Sequence, residues 1–228
     1  MTKLDATASG VYAIAATPFH ADGRLDLESL DRLTDFYVEK GATGLTILGI
    51  MGEAGKLEME ESLEITRRVV KRVGVPVVVG VSAPGFAAMR RLARDAMEIG
   101  AAGVMIAPQP SLRTDDQIVG YFAGAVEAVG TDVPFVLQDY PLTLSVQMTP
   151  GVIRRIVMDN PSCVMLKHED WPGLEKISAL RRFQKEGSLR ELSILTGNGA
   201  LFLDFEMERG ADGAMTGYAF PDMLADVV

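Results

Sequence analysis

Cysteine and histidine are almost missing from this chain: there is one of the first, Cys163, and two of the second, His20 and His168. One cysteine cannot close an internal disulfide, so a reducing compartment is expected. Cys163 lies inside an apolar run and reads as a small buried hydrophobe rather than a nucleophile. No cluster of His, Cys or carboxylates has metal-ligand spacing, and two histidines give little room for a histidine-based triad. Long apolar runs are missing too. Stretches such as residues 75–79 are far too short to span a bilayer, and no signal-peptide type of run follows Lys3. Positive charge is in deficit, with 22 Lys and Arg against 31 Asp and Glu and a net charge of -9. Nucleic acid and anionic membrane surfaces are therefore excluded as main partners, while an anionic substrate in a local site is not. No Gly-x-Gly-x-x-Gly loop follows an apolar run, so a dinucleotide site has no support. The expectation is a soluble, cytoplasmic protein.

What is present is a regular alternation. Apolar runs at residues 11–16, 44–49, 75–81, 103–107, 133–137, 163–167, 192–196 and 213–216 read as strands buried on both faces. Helical spacing separates them. From Asp26 to Lys40, for example, Leu27, Leu30, Leu33, Phe36 and Tyr37 recur on one face before Gly41 ends the helix. Eight such units in 228 residues, with no linker or low-complexity tract, predict one α/β domain over residues 1–228, a closed (β/α)8 barrel. Residues 1–9 read as a loose start. Residues 221–228 read as a truncated last helix, cut after about two turns, which is expected to leave apolar surface exposed.

Barrel chemistry sits at the C-terminal ends of the strands. Among those ends one lysine stands out, Lys167, closing the run Cys163-Val164-Met165-Leu166. Either it reaches into solvent, or it is an amine whose charged form burial disfavours and which attacks a carbonyl to form a Schiff base. Its place at a barrel strand end favours the second reading. The loop from Gly49 through Ile50, Met51 and Gly52 to Glu53 can approach a ligand closely and offer consecutive N–H groups to a carboxylate. Glu53 itself reads as a turn residue capping nearby backbone. Tyr140 is either a proton shuttle or a tyrosine packed under Pro141, and Asp139 either a base or a turn residue. His168 points to the face opposite Lys167 if the strand continues, and reads as structural.

These residues resemble the dihydrodipicolinate synthase and N-acetylneuraminate lyase superfamily of pyruvate-type Schiff-base aldolases, almost end to end. The resemblance rests on Ala16-Thr17-Pro18-Phe19 with Asp22-Gly23 and Asp26, on Gly49-x-x-Gly52-Glu53, on Gly80-Val81, on Gly100-Ala101-Ala102-Gly103, on Leu166-Lys167, and on Gly197 and Gly210-Ala211-Asp212-Gly213. It implies a (β/α)8 barrel followed by a helical region absent from this chain, and a homo-oligomer, dimer or tetramer. It makes Lys167 the Schiff-base lysine and the Gly49 to Glu53 loop the holder of the 2-oxo acid carboxylate, with Gln138, Gly197 and Met215 also at the substrate. Neither a metal nor an organic cofactor is implied, because the lysine is the electron sink. The departures are specific. Ile50 and Met51 replace two threonines, Gln138 falls where the family has a tyrosine, Tyr140 stands two residues later, Gln109-Pro110 replaces a tyrosine pair, and an arginine is missing near Thr143. The expected function is therefore a lyase or aldolase acting on pyruvate or a related 2-oxo acid. Its second substrate, an aldehyde, is expected to be less polar than aspartate semialdehyde. The alternatives are a silent barrel kept as a binding or assembly subunit, and a dehydratase or hydratase-aldolase for 2-keto-3-deoxy sugar acids.

Overall fold

The computed structural model describes residues 2–228. Among these, eight parallel strands follow one another around a closed barrel: β1 (Gly10–Ile14), β2 (Gly44–Ile47), β3 (Val77–Gly80), β4 (Gly103–Ile106), β5 (Phe135–Asp139), β6 (Cys163–His168), β7 (Ser193–Thr196) and β8 (Gly213–Thr216), which pairs back onto β1. Strands that are apolar on both faces need cover on both. The inward face supplies Tyr12, Ile14, Val78, Met105, Val136, Met165, Leu195 and Met215, which fill the barrel. The outward face supplies Leu45, Ile47, Val79, Val104, Ile106, Leu137, Leu166 and Ile194, which pack beneath the helices.

The surrounding helices are α1 (Leu27–Glu39), α2 (Met59–Arg72), α3 (Phe86–Ile99), α4 (Asp115–Val129), α5 (Pro141–Leu144), α6 (Pro150–Asp159), α7 (Leu174–Lys185), α8 (Leu203–Glu208) and α9 (Pro221–Ala225). Their starts follow cap chemistry. Asp26 accepts from the Ser29 N–H, Thr149 accepts from the Val152 N–H ahead of Pro150, and Thr114 forms a capping box with Gln117.

Three expectations change. β5 and β6 run past their apolar segments, so that Gln138 pairs with Lys167 and Asp139 with His168 in register. Polar residues extend these strands because their side chains find buried partners there. The single-turn helix α5 intervenes before α6, with Tyr140 at its N-cap. The N-terminal segment is not loose: Leu4 is buried in the cluster that fills the barrel, beside Gly103 at the start of β4, and its N–H donates to the Ala102 carbonyl, covering the end of the barrel away from the strand C-termini.

The β8–β1 seam depends on a missing side chain. Gly213 has φ +149, and a Cβ there would stand 2.0 Å from the Gly10 carbonyl oxygen. Gly213→Ala is expected to strain the closure and lower stability by about 2–4 kcal/mol, read as an earlier urea midpoint. An unchanged midpoint would mean the seam relaxes without cost.

Candidate active site

Lys167 stands one residue before the end of β6 and is 5% exposed. Its Nζ lies 2.9 Å from Oε2 of Glu169, and the same oxygen accepts from Nε2 of Gln138 at 2.8 Å. Alternation along an extended strand places residues 167 and 169 on one side, and Gln138 reaches the same group from the neighbouring strand. All three side chains are buried. The desolvation cost of this ion pair is offset by a charge-assisted hydrogen bond and by the Gln138 amide on the shared oxygen. Glu169 is fixed from behind as well. The Asn198 amide donates to its carbonyl at 2.8 Å, and a Cβ at Gly197 would come within 2.3 Å of its Cγ. Gly197 therefore leaves the space that the Glu169 side chain fills.

This cluster forms the floor of a cavity of about 740 Å³ at the C-terminal rim. Ile50, Met51, Leu142, Trp171 and Phe220 make most of its wall apolar, and Tyr140, Thr143, Asn198 and Tyr218 add hydroxyl and amide groups. Among the described residues that line it, Lys167 is the one cation and Glu169 the one carboxylate. A smaller cavity of about 210 Å³ adjoins it, lined by Gly49, Ile50, Ser82, Gln109 and Gln138 among others. The loop between the two leaves the N–H groups of Ile50, Met51 and Gly52 without an acceptor among the described residues. Thr17, three residues past the end of β1, ties this loop down by donating to the Gly52 carbonyl at 2.6 Å.

A profile of the Dihydrodipicolinate synthetase family matches residues 7–220 of this barrel. The chain belongs to that family. Among solved structures, the dihydrodipicolinate synthase of Rhodopseudomonas palustris is 70% identical with a TM-score of 0.97, covering 99% of this chain and 75% of its own. The dihydrodipicolinate synthase of Thermotoga maritima is 25% identical with a TM-score of 0.87, over 96% and 74%. The 4-hydroxy-tetrahydrodipicolinate synthase of Methylococcus capsulatus is 29% identical over 88% of this chain and 67% of its own length, while that of Nitrosococcus oceani is 31% identical over 64% of this chain. This chain's match spans 51% of the Nitrosococcus protein.

Within this family member, the expected site residues divide. Lys167, Gln138, Tyr140, Ile50 and Met51 meet around the larger cavity. Gly49 lies on the smaller one, and Gly52 lies in the loop itself, its carbonyl held by Thr17. Gly197 and Met215 line neither cavity. Gly197 backs Glu169, and Met215 stands level with Tyr12 in the closed interior, below the layer of Ile14 that reaches the cavity. Glu53 pairs with Lys56 instead of capping backbone. Asp139 is excluded as a base in the cavity, since it faces outward and is fully buried. Its Oδ2 lies 2.7 Å from Lys176 Nζ and 3.8 Å from His168 Nδ1, and Lys176 also reaches Asp170 at 2.8 Å. His168 is on that outer face, its Nε2 3.1 Å from the Gly173 carbonyl. Cys163 is buried beneath the helices, and burial pushes its thiol up to about 12, which suits an inert hydrophobe. The sequence reading missed Glu169. Continuing the strand's two-residue alternation past Lys167 would have found it.

No helix among the described residues is long and apolar enough to cross a membrane. Among the described residues no group of three or more His, Cys, Asp or Glu side chains is placed to hold a metal ion.

Proposed function

We propose that this chain is a lyase or aldolase that works through a Schiff base on Lys167. One observation carries the reading: a nearly fully buried lysine ends a barrel strand at the floor of a cavity, beside a carboxylate able to take its proton. Once neutral, the amine attacks the carbonyl carbon of pyruvate or a related 2-oxo acid, and loss of water leaves an iminium that draws electrons from the adjacent carbon. The free amides of Ile50, Met51 and Gly52 hold the acid's carboxylate, since consecutive N–H groups form an anion cradle. No metal or organic cofactor is required, because the iminium is the electron sink.

The second substrate is an aldehyde that meets Ile50, Met51, Leu142, Trp171 and Phe220. At the enamine stage, when the aldehyde is attacked, the Lys167 nitrogen is neutral and no other lysine or arginine among the described residues lines the cavity, so an apolar or aromatic aldehyde fits this wall better than one bearing a carboxylate. Aspartate semialdehyde belongs in the same screen, since relatives are named 4-hydroxy-tetrahydrodipicolinate synthase. A cytoplasmic homo-oligomer, dimer or tetramer, completes the proposal.

The test is reduction of the protein with borohydride in the presence of pyruvate, followed by mass spectrometry of the peptide carrying Lys167. A pyruvate adduct on Lys167 is expected, with none in Lys167→Ala. If neither pyruvate nor longer 2-oxo acids leave an adduct on folded protein, the Schiff-base reading is wrong and a non-catalytic binding barrel is the better account.

A further inference from the structure

We infer that Glu169, held in place by Gln138, is the acid–base group of the Lys167 reaction and moves every proton of imine and enamine formation. The inference rests on the Schiff-base reading above and adds the identity of the group that carries the protons. Its support is geometric. Glu169 Oε2 is within hydrogen-bond distance of the amine, and the Gln138 amide fixes that oxygen from the next strand. Oε1 makes no hydrogen bond to another described residue, so it can accept from a substrate. The bare backbone at Gly197 and the Asn198 bond to the Glu169 carbonyl hold the side chain at that spot. The competing titratable groups are few. Tyr140 and Tyr218 are the other ionisable side chains lining the cavity, and the Tyr140 hydroxyl has no hydrogen bond among the described residues. Asp139 and His168 are closed off behind the strands by Lys176 and Gly173.

The proton balance closes on this one carboxylate. Glu169 takes a proton from the Lys167 ammonium, and the freed lone pair forms the N–C bond while the carbonyl π pair moves to oxygen. That alkoxide takes the proton back from Glu169. Glu169 next removes a proton from the now cationic nitrogen and delivers it to the hydroxyl, which leaves as water as the nitrogen lone pair forms the C=N bond. The regenerated carboxylate then removes a proton from the carbon next to the iminium; the C–H pair becomes the enamine double bond and the C=N π pair returns to nitrogen as its lone pair. When the enamine attacks an aldehyde, the same proton goes to the new alkoxide.

Deuterium wash-in to the methyl group of pyruvate in heavy water reads imine and enamine formation together without any aldehyde step, and borohydride trapping reads the imine. Glu169→Gln keeps the size of the side chain and its place beside Gly197. It is expected still to give a Lys167 adduct on long incubation, while methyl exchange falls about a hundredfold or more. Gln138→Leu retains both charged groups but frees the carboxylate. Its exchange is expected to fall about tenfold in kcat with KM for pyruvate little changed, a split that general loosening of the site would not give. Circular dichroism and melting confirm that each variant folds; if Glu169→Gln does not, Gln138→Leu carries the test, and parent-like exchange in it overturns the inference. Exchange at the parent rate in trapped Glu169→Gln overturns the assignment alone, as does a larger loss in Tyr140→Phe than in Glu169→Gln. Absence of any adduct in the parent overturns the Schiff-base reading and this inference together.

Discussion

Lys167→Arg is expected to lose turnover by about a thousandfold or more while melting close to the parent. The guanidinium keeps a cation opposite Glu169, so the carboxylate is not left buried and unpaired. It cannot give up its proton in a protein, and so supplies no free lone pair for attack on a carbonyl. Lys167→Ala loses turnover as fully but differs in stability, because Glu169 keeps only the Gln138 amide as partner. Measuring kcat/KM and the melting curve for both variants separates chemistry from packing. Substantial turnover in Lys167→Arg would mean that the amine is not the nucleophile, whatever the geometry at the end of β6.

Lys176→Met is expected to cost about 3–5 kcal/mol of stability, which lowers the melting point on the order of 10 °C in a chain of this size. Asp139 is fully buried, one of its oxygens has no hydrogen-bond partner, and Lys176 is the cation that reaches the other. Removing that amine strands a charge beneath the helices. Asp139→Asn combined with Lys176→Met is expected to recover most of the loss, giving a large coupling in a double-mutant cycle. Turnover should also fall in Lys176→Met, since Asp139 and His168 adjoin Gln138 and Lys167 in the paired ends of β5 and β6. A parent-like melting curve would mean that Asp139 is compensated through His168 instead, 3.8 Å away.

The barrel was legible because its signal is repetitive and local. Each strand is a short apolar run with helix and turn signals around it; burial on both faces points to a parallel sheet covered by helices, and eight such units in 228 residues point to a closed barrel over an open doubly wound sheet. Lys167 was legible for a related reason: a charge ending an apolar run is costly, so its position carries information without any neighbour being known. Gln138 and Asp139 misled as loop residues because polar side chains usually end a strand. Here β5 continues, held by partners far apart in sequence: Glu169 on one side of the sheet and Lys176 on the other.

By itself, then, the sequence determined the order of strands and helices and the buried lysine at the C-terminal end of the sixth strand, since each follows from periodicity and the cost of burying charge. Tertiary structure alone decided which groups meet that amine. It set Glu169 beside Lys167, turned Asp139 and His168 away, lowered Met215 into the barrel interior and left Gly197 bare for the Glu169 side chain. Those outcomes depend on the register between adjacent strands and on distances of a few ångströms, which hydrophobic spacing along one chain does not encode.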